Sequence, residues 1–320
     1  MEQNQGQQKL KQFLEREYGF GVQRLTEAPR GFFGETWIAE TGQEKRFVKI
    51  DRWSYHKGYY AASFPVIDYL RKQGIDFIPG VIPDTRGNLC TRFEEGVLGV
   101  FEYVSGEHTE NYPIGRLFQR LGKIYQIPGD GLQLEREDFQ AGSVKEYHQL
   151  VSQLDHSREP DRTIRNILSN NRNFLEDKES RLLHFSDLCR HLDCPMVITH
   201  GDAGGNCIVT PERFTIIDWD YPKLAAPERD TWFFMHRESQ VKEIEQAFQT
   251  AGFDYELNRK RFAYYCYASL FYYIGEYLKA IGESSGETRE RLVRQLEEYF
   301  RSSWILEQIA CADQVKFEES

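Results

Sequence analysis

The chain has 320 residues, 40% hydrophobic and 14% aromatic, enough apolar side chain for one large or two smaller folded domains and too much for a disordered chain. With 50 acidic against 40 basic residues the net charge is −10, which excludes a general phosphate-backbone binder; no nucleic-acid partner is expected, and a cationic small substrate is welcome in such a field. The six cysteines show neither CxxC nor CxxH spacing, no basic-then-apolar leader opens the sequence, and no stretch approaches the roughly 18 apolar residues of a membrane span, so a cytoplasmic protein with reduced thiols and no membrane partner is expected.

Residues 8–18, QKLKQFLEREY, place Leu10, Phe13 and Leu14 at helical spacing and stop near Gly19, predicting a short amphipathic helix. GVQRLTEAP, ETWIAE and RFVKI, parted by the turns RGFFG and TGQEK, predict a three-strand antiparallel meander. AASFPVIDYLRKQG predicts a helix with its proline early, GNLCTRFEEG and VLGVFEYV two more strands, and VSGEHTE a connector. Apolar residues three and four apart then predict helices over IGRLFQRLGKIYQI, PDRTIRNILSNNRNF and ESRLLHFSDLCRHL, with loops and a helical hairpin over 128–165. MVITHGD and RFTIIDWD are the strands expected in this half. Helices resume over RESQVKEIEQAFQTAG, NRKRFAYYCYASLFYYIGEYLKAIG and RERLVRQLEEYFRSSWILEQIA. The expected class is α+β, with a small antiparallel-sheet N-lobe over residues 1–102 and a larger, mostly helical C-lobe over 103–320.

The chemistry concentrates in VITHGDAGGNCIV (197–209) and IIDWD (216–220). An aspartate just after a buried strand on a glycine-rich loop, Asp202, is held rigidly and exposed, the setting of a positioned acid or base. Asn206 adds an amide oxygen, and Asp218 ends the next apolar strand with a carboxylate. These hard oxygens suit Mg2+, which takes one or two protein carboxylates and fills its other positions with water and phosphate oxygens. Phosphoryl transfer needs these parts, because its catalysis is mostly positioning and charge neutralisation.

The pair HGDAGGN…IIDWD resembles the kinase-like aminoglycoside phosphotransferase family, and the run IIDWDYPKLAAPERDTWFF is similar to its spectinomycin phosphotransferase branch. The likeness in lobe order extends over nearly the whole chain; the specific motifs lie within 197–234. The resemblance implies a bilobal protein-kinase-like fold and transfer of the γ-phosphoryl group of ATP to a hydroxyl of a small molecule. The acceptor class it implies is an aminoglycoside- or aminocyclitol-like antibiotic or a metabolite such as an amino alcohol or sugar. Carried onto this sequence, Asp202 is the catalytic aspartate, Asn206 and Asp218 are Mg2+ ligands, and His200 and Asp230 support the catalytic loop. Lys49 in RFVKI stands at the strand lysine of the α- and β-phosphates, and Gly31 and Gly34 stand at the phosphate-covering turn. Glu102 and Val104 in FEYV stand at the adenine-binding hinge. Asp220 reads as a substrate contact, a second metal ligand or a structural residue, and Glu276, where the family's helices form the acceptor pocket, as a candidate contact for a cationic substrate.

Two features depart from that pattern. Three residues separate Asp202 from Asn206 where kinase-type loops have four. No Glu or Asp lies between Trp53 and Ile67 to pair with Lys49, and Ala61 stands at the aligned position. These departures motivate a reading of another class, a pseudokinase acting as a binding module. A metallohydrolase using His200, Asp202, Asp218 and Asp220 is disfavoured, since no second histidine falls at ligand spacing. His56, His108, His148, His156, His184, His191 and His236 read as surface or packing residues, and FAYYCYASLFYY as core on one face.

Overall fold

The stripe Leu10, Phe13 and Leu14 is the buried face of α1 (Glu2–Tyr18), which runs further back than the apolar pattern because Gln and Glu extend a helix without adding to that face. The computed structural model describes residues 2–28, 34–42, 44–56, 58–109, 111–155, 157, 159 and 161–317, with side chains from residue 5 onward. Gly19, at φ +74°, ends α1 in the left-handed region. The predicted meander follows as β1 (Val22–Glu27), β2 (Glu35–Thr41) and β3 (Lys45–Asp51), each antiparallel to the next. Helix α2 (Tyr59–Lys72) carries Pro65 in its second turn rather than at its start.

Strands β4 (Val81–Ile82), β5 (Thr91–Phe93) and β6 (Gly96–Glu102) complete a six-stranded sheet of order β1-β2-β3-β6-β4, with β5 also on β6. Leu10, Phe13 and Leu14 pack with Trp37, Val48, Ile50, Leu98 and Val100 in the core of this sheet. Fully burying each such side chain is worth about 1.5–3 kcal/mol. The segment read as a connector contains β7 (Glu107–His108), and α3 (Ile114–Tyr125) follows.

Among the described residues, the 128–165 region holds α4 (Gly142–Ser152) and the start of α5 (Asp161–Asn170). The helix expected to run through PDRTIRNILSNNRNF breaks at Asn171, whose side-chain amide donates to Ile167 O at 2.8 Å, and α6 (Arg172–Arg190) begins afresh. Where two strands are expected there are four in sequence: β8 (Val197–Thr199), β9 (Cys207–Val209), β10 (Phe214–Ile216) and β11 (Lys223–Ala225). Three-residue strands are too short for a periodic signal. The sheet order is β10-β9-β7, and β11 pairs β8.

Helices α7 (Glu228–Thr231), α8 (Glu238–Ala251), α9 (Arg259–Glu283), α10 (Gly286–Tyr299) and α11 (Ser303–Ala312) complete the chain. The last predicted helix divides at Ser302, whose hydroxyl turns back to Glu298 O. The aromatic run packs as core, with Phe262, Tyr264, Tyr265, Tyr267 and Phe271 of α9 buried. Among the described residues no helix is long and apolar enough to cross a membrane.

The chain forms two compact units, Met1–Glu135 with His200–Lys223, and Arg136–Thr199 with Leu224–Ser320. The first contains both β-sheets other than β8 and β11. The second is built on α9, against which α4, α6, α10 and α11 pack.

Candidate active site

Val197, Ile198 and Thr199 are buried, so the chain leaves β8 at a fixed point. His200 follows, 2% exposed, and Gly201 turns the backbone at φ +92°, which only glycine adopts freely. His200 Nε2 donates to Ile217 O at 2.8 Å, and its Nδ1 accepts from the Asp202 N–H at 3.2 Å. The ring also meets Trp219 edge-on at 4.6 Å. One imidazole therefore ties the Asp202 loop to the segment that carries Asp218.

Asp202 is exposed, as its place after a buried strand predicts. Asn206 Nδ2 donates to Asp202 O at 2.7 Å and to Asp202 Oδ2 at 3.1 Å. These acceptors assign the amide nitrogen to Asp202 and leave the Asn206 Oδ1 as the atom for a cation. The shortened loop is a tight turn, with Asn206 N donating to Ala203 O at 3.2 Å. Its two glycine carbonyls are braced from outside: Tyr112 Oη donates to Gly204 O, and His108 Nε2 donates to Gly205 O at 2.7 Å. Sequence reasoning misses both bracing residues, because their partners lie 92 and 97 positions away and neither belongs to a motif.

Asp218 adopts φ +65°, a left-handed conformation that aspartate tolerates better than most residues and that is often found at functional positions. Lys49, at the buried centre of β3, donates to both Asp218 and Asp220. Another pair of carboxylates thus takes up the lysine for which α2 has no partner; Asp68 of α2 pairs instead with Lys72 at 2.6 Å. Desolvation acts to lower the Lys49 ammonium, but the two aspartates outweigh it and hold it well above the usual lysine range. Desolvation likewise acts to raise the Asp218 carboxyl, and Lys49 outweighs it, leaving Asp218 below its ordinary value. Asp220, raised by burial and then by the Asp218 charge, is pushed up to about 7. The Tyr60 ring of α2 lies under the Lys49 ammonium at 5.9 Å. Sequence reasoning misses Tyr60 too, because an aromatic on a helical stripe reads as core.

The donor set fits Mg2+. Asp218 and Asn206 Oδ1 offer hard oxygens, and the Lys49 ammonium already stands as a cation beside Asp218 and Asp220. Among the described residues no group of three or more His, Cys, Asp or Glu side chains is arranged to hold a metal. With both His200 nitrogens in hydrogen bonds, the ligand set of a metallohydrolase is not assembled.

Gly34 has φ +99°, a conformation that favours glycine, and a Cβ there would lie 3.3 Å from Ile50 O and 3.8 Å from Lys49 Cε, so the turn runs close to β3. Gly31 lies outside the described residues. Glu102 ends β6; its N–H donates to Gly80 O at 2.9 Å, and its carboxylate accepts from Gly80 N at 3.0 Å. Val104 follows, half-buried, in irregular backbone.

The structure therefore gathers Lys49, Gly34, His200, Asp202, Asn206, Asp218 and Asp220 in the first unit. Asp230 and Glu276 belong to the second. Asp230 is buried in α7, and Glu276 is buried on α9 beside Lys279 at 2.5 Å, which also reaches Glu146 at 3.2 Å.

The model of the phosphotransferase enzyme family matches residues 24–261. No curated protein sequence matches at a significant level. Among solved structures, the chain is similar to spectinomycin phosphotransferase in complex with ADP and spectinomycin, at 20% identity and TM-score 0.72, covering 96% of this chain and 98% of that one. It is also similar to an aminoglycoside phosphotransferase from Alicyclobacillus acidocaldarius (14% identity, TM-score 0.56, 95% of each chain). A third similarity is to choline kinase LicA from Streptococcus pneumoniae (17% identity, TM-score 0.55, 93% of this chain and 99% of that one). At these identities the likeness is one of fold: α+β and protein-kinase-like, with an antiparallel N-terminal sheet and a mostly helical remainder.

Proposed function

The chain belongs to the phosphotransferase enzyme family, and from that premise we propose that it is an ATP- and Mg2+-dependent kinase that phosphorylates a hydroxyl of a small, amine-bearing molecule. The observation that carries the reading is the joining of Lys49 to Asp218 and Asp220 in the same unit as the Asp202–Asn206 pair. Asp218 and Asn206 would hold Mg2+, which when bound neutralises charge on the phosphates and fixes their orientation. Lys49 supplies a buried ammonium for the phosphate oxygens nearest β3. Asn206 donates to one carboxylate oxygen of Asp202 and so helps to fix the orientation of that carboxylate, which takes or aligns the proton of the acceptor hydroxyl.

Both departures that motivate a pseudokinase have a local remedy: the short loop is braced by Tyr112 and His108, and Lys49 has carboxylate partners. The acceptor class follows from the chemistry that spectinomycin and choline share, a hydroxyl on a cationic molecule, together with this chain's net charge of −10. Asp220 is the carboxylate proposed nearest that cation.

Calorimetric titration with ADP, with and without Mg2+, tests the nucleotide half of the proposal. Binding that tightens at least tenfold with Mg2+, and loses that gain in Asp218→Asn, is expected. Mg2+-independent binding, or none, contradicts it.

A further inference from the structure

Protein kinases pair the strand lysine with a carboxylate from the neighbouring helix. Here α2 places Tyr60 beside Lys49 instead, 2% exposed, with its ring centroid 5.9 Å from the ammonium. The placement is built by packing. Tyr60 stacks on Phe64 at 4.6 Å and 22°, and Phe64 meets Phe101 edge-on at 5.0 Å. Phe64 in turn fills the space over Gly99, where a Cβ would lie 2.4 Å from Phe64 Cε2. Gly99 is the register partner of Lys49 across β3 and β6. A missing side chain at Gly99 thus admits Phe64, Phe64 sets Tyr60, and Tyr60 faces Lys49.

Packing alone does not account for the hydroxyl. Tyr60 Oη is buried and has no hydrogen-bond partner among the described residues. A phenylalanine would fill the same space without burying an unpaired polar atom. The charged groups that act electrostatically on this hydroxyl are Lys49, Asp220, Asp51 and Asp218. Lys49 is held by both active-site aspartates, and these are the oxygens required for a cation. An ammonium has three N–H donors, and the Tyr60 hydroxyl is a neutral oxygen able to accept one of them when Lys49 turns to nucleotide phosphates.

We propose that Tyr60 is the positioning residue for Lys49 in place of a helix carboxylate, its ring holding the ammonium and its hydroxyl accepting from it in the nucleotide-bound state. A neutral acceptor leaves the charge of Lys49 undiminished toward the phosphates, as a carboxylate would not. The inference rests on the kinase reading above.

Tyr60→Phe separates it from that reading. ADP with Mg2+ and adenosine, which has no phosphates for Lys49 to meet, are titrated against wild type and variant; the melting temperature of the variant, equal or higher, certifies its fold. The expected result is a loss of about 3- to 10-fold for ADP, the worth of one hydrogen bond, with adenosine unchanged. Equal ADP affinity in both proteins, or equal losses for ADP and adenosine, overturns the role of Tyr60 and leaves the kinase reading standing. A wild type that binds neither ligand overturns both.

Discussion

Tyr112 and His108 hold the two carbonyls that a loop one residue shorter must orient, and Asn206 leaves that loop directly afterwards. Tyr112→Phe removes one donor, worth about 0.5–1.5 kcal/mol. The Mg2+ concentration for half-maximal ADP binding should rise about 3- to 10-fold, while calorimetry without Mg2+ shows little change; an unaltered Mg2+ dependence would remove Tyr112 from the account. Asp84 is a second such hub, with no part in the chemistry. Burial acts to raise its carboxyl, but hydrogen bonds from the Asn88 side chain and the Asn88 and Arg86 amides outweigh this and hold it down at about 2, from 3.8. A depressed carboxyl stabilises the fold above its unfolded value and loses that contribution as pH falls toward the folded one. Acid unfolding of the wild type should therefore steepen between about pH 4 and pH 2, and Asp84→Ala should be less stable at pH 7 and flatter over that range. Asp202, Asn206 and Asp218 can be singled out in the sequence because each stands next to a short apolar strand within one short window. Tyr60, Tyr112 and His108 cannot, since their significance lies in partners that only the folded chain supplies.

Helix α9 shows what local chemistry does specify. Asn258 precedes it, and its Oδ1 accepts from Lys260 N at 2.9 Å and Arg261 N at 3.2 Å, satisfying donors that the first turn leaves open. Asn258→Ala should lower stability by about 1 kcal/mol in urea unfolding, and Asn258→Gly by only a few tenths; equal stability of all three proteins would deny the cap. Within the same turn Arg261 pairs with Glu228 of α7 at 3.1 Å, both side chains almost wholly buried, and Tyr255 Oη and the Asn258 amide also donate to that carboxylate. Arg261→Met leaves Glu228 buried without its countercharge and should cost about 3–5 kcal/mol. Burial raises the Glu228 carboxyl, so folding favours its protonated form and stability falls as pH rises through that window. The deficit of Arg261→Met should therefore shrink on acidification, and a deficit independent of pH would argue against an uncompensated charge. Long periodic helices are legible because many residues repeat one signal. The breaks at Asn171 and Ser302 turn on single side chains that bond back to the preceding turn, and the three-residue strands have no period to read.

At the scale of the molecule, the two compact units are discontinuous in sequence: residues 200–223 join the first unit after the chain has built α4, α5, α6 and β8 in the second. That return brings Asp218 and Asp220 to Lys49 of the six-stranded sheet and places Asp202 and Asn206 in the same unit. It depends on pairings such as Glu107 with Val209, whose separation no local pattern encodes. The family and fold were nevertheless legible, because the aspartate-bearing turns are short-range features. This arrangement is the one proposed to transfer a phosphoryl group. Its most direct test is ADP release by purified wild type with ATP and Mg2+ across a panel of aminocyclitol antibiotics, amino alcohols and sugars, beside Asp202→Ala, whose exposed side chain can be removed without opening the core. Acceptor-dependent release in the wild type, reduced at least 100-fold in Asp202→Ala, is expected. Release that is unchanged in Asp202→Ala, or none with any acceptor although nucleotide binds, would contradict it.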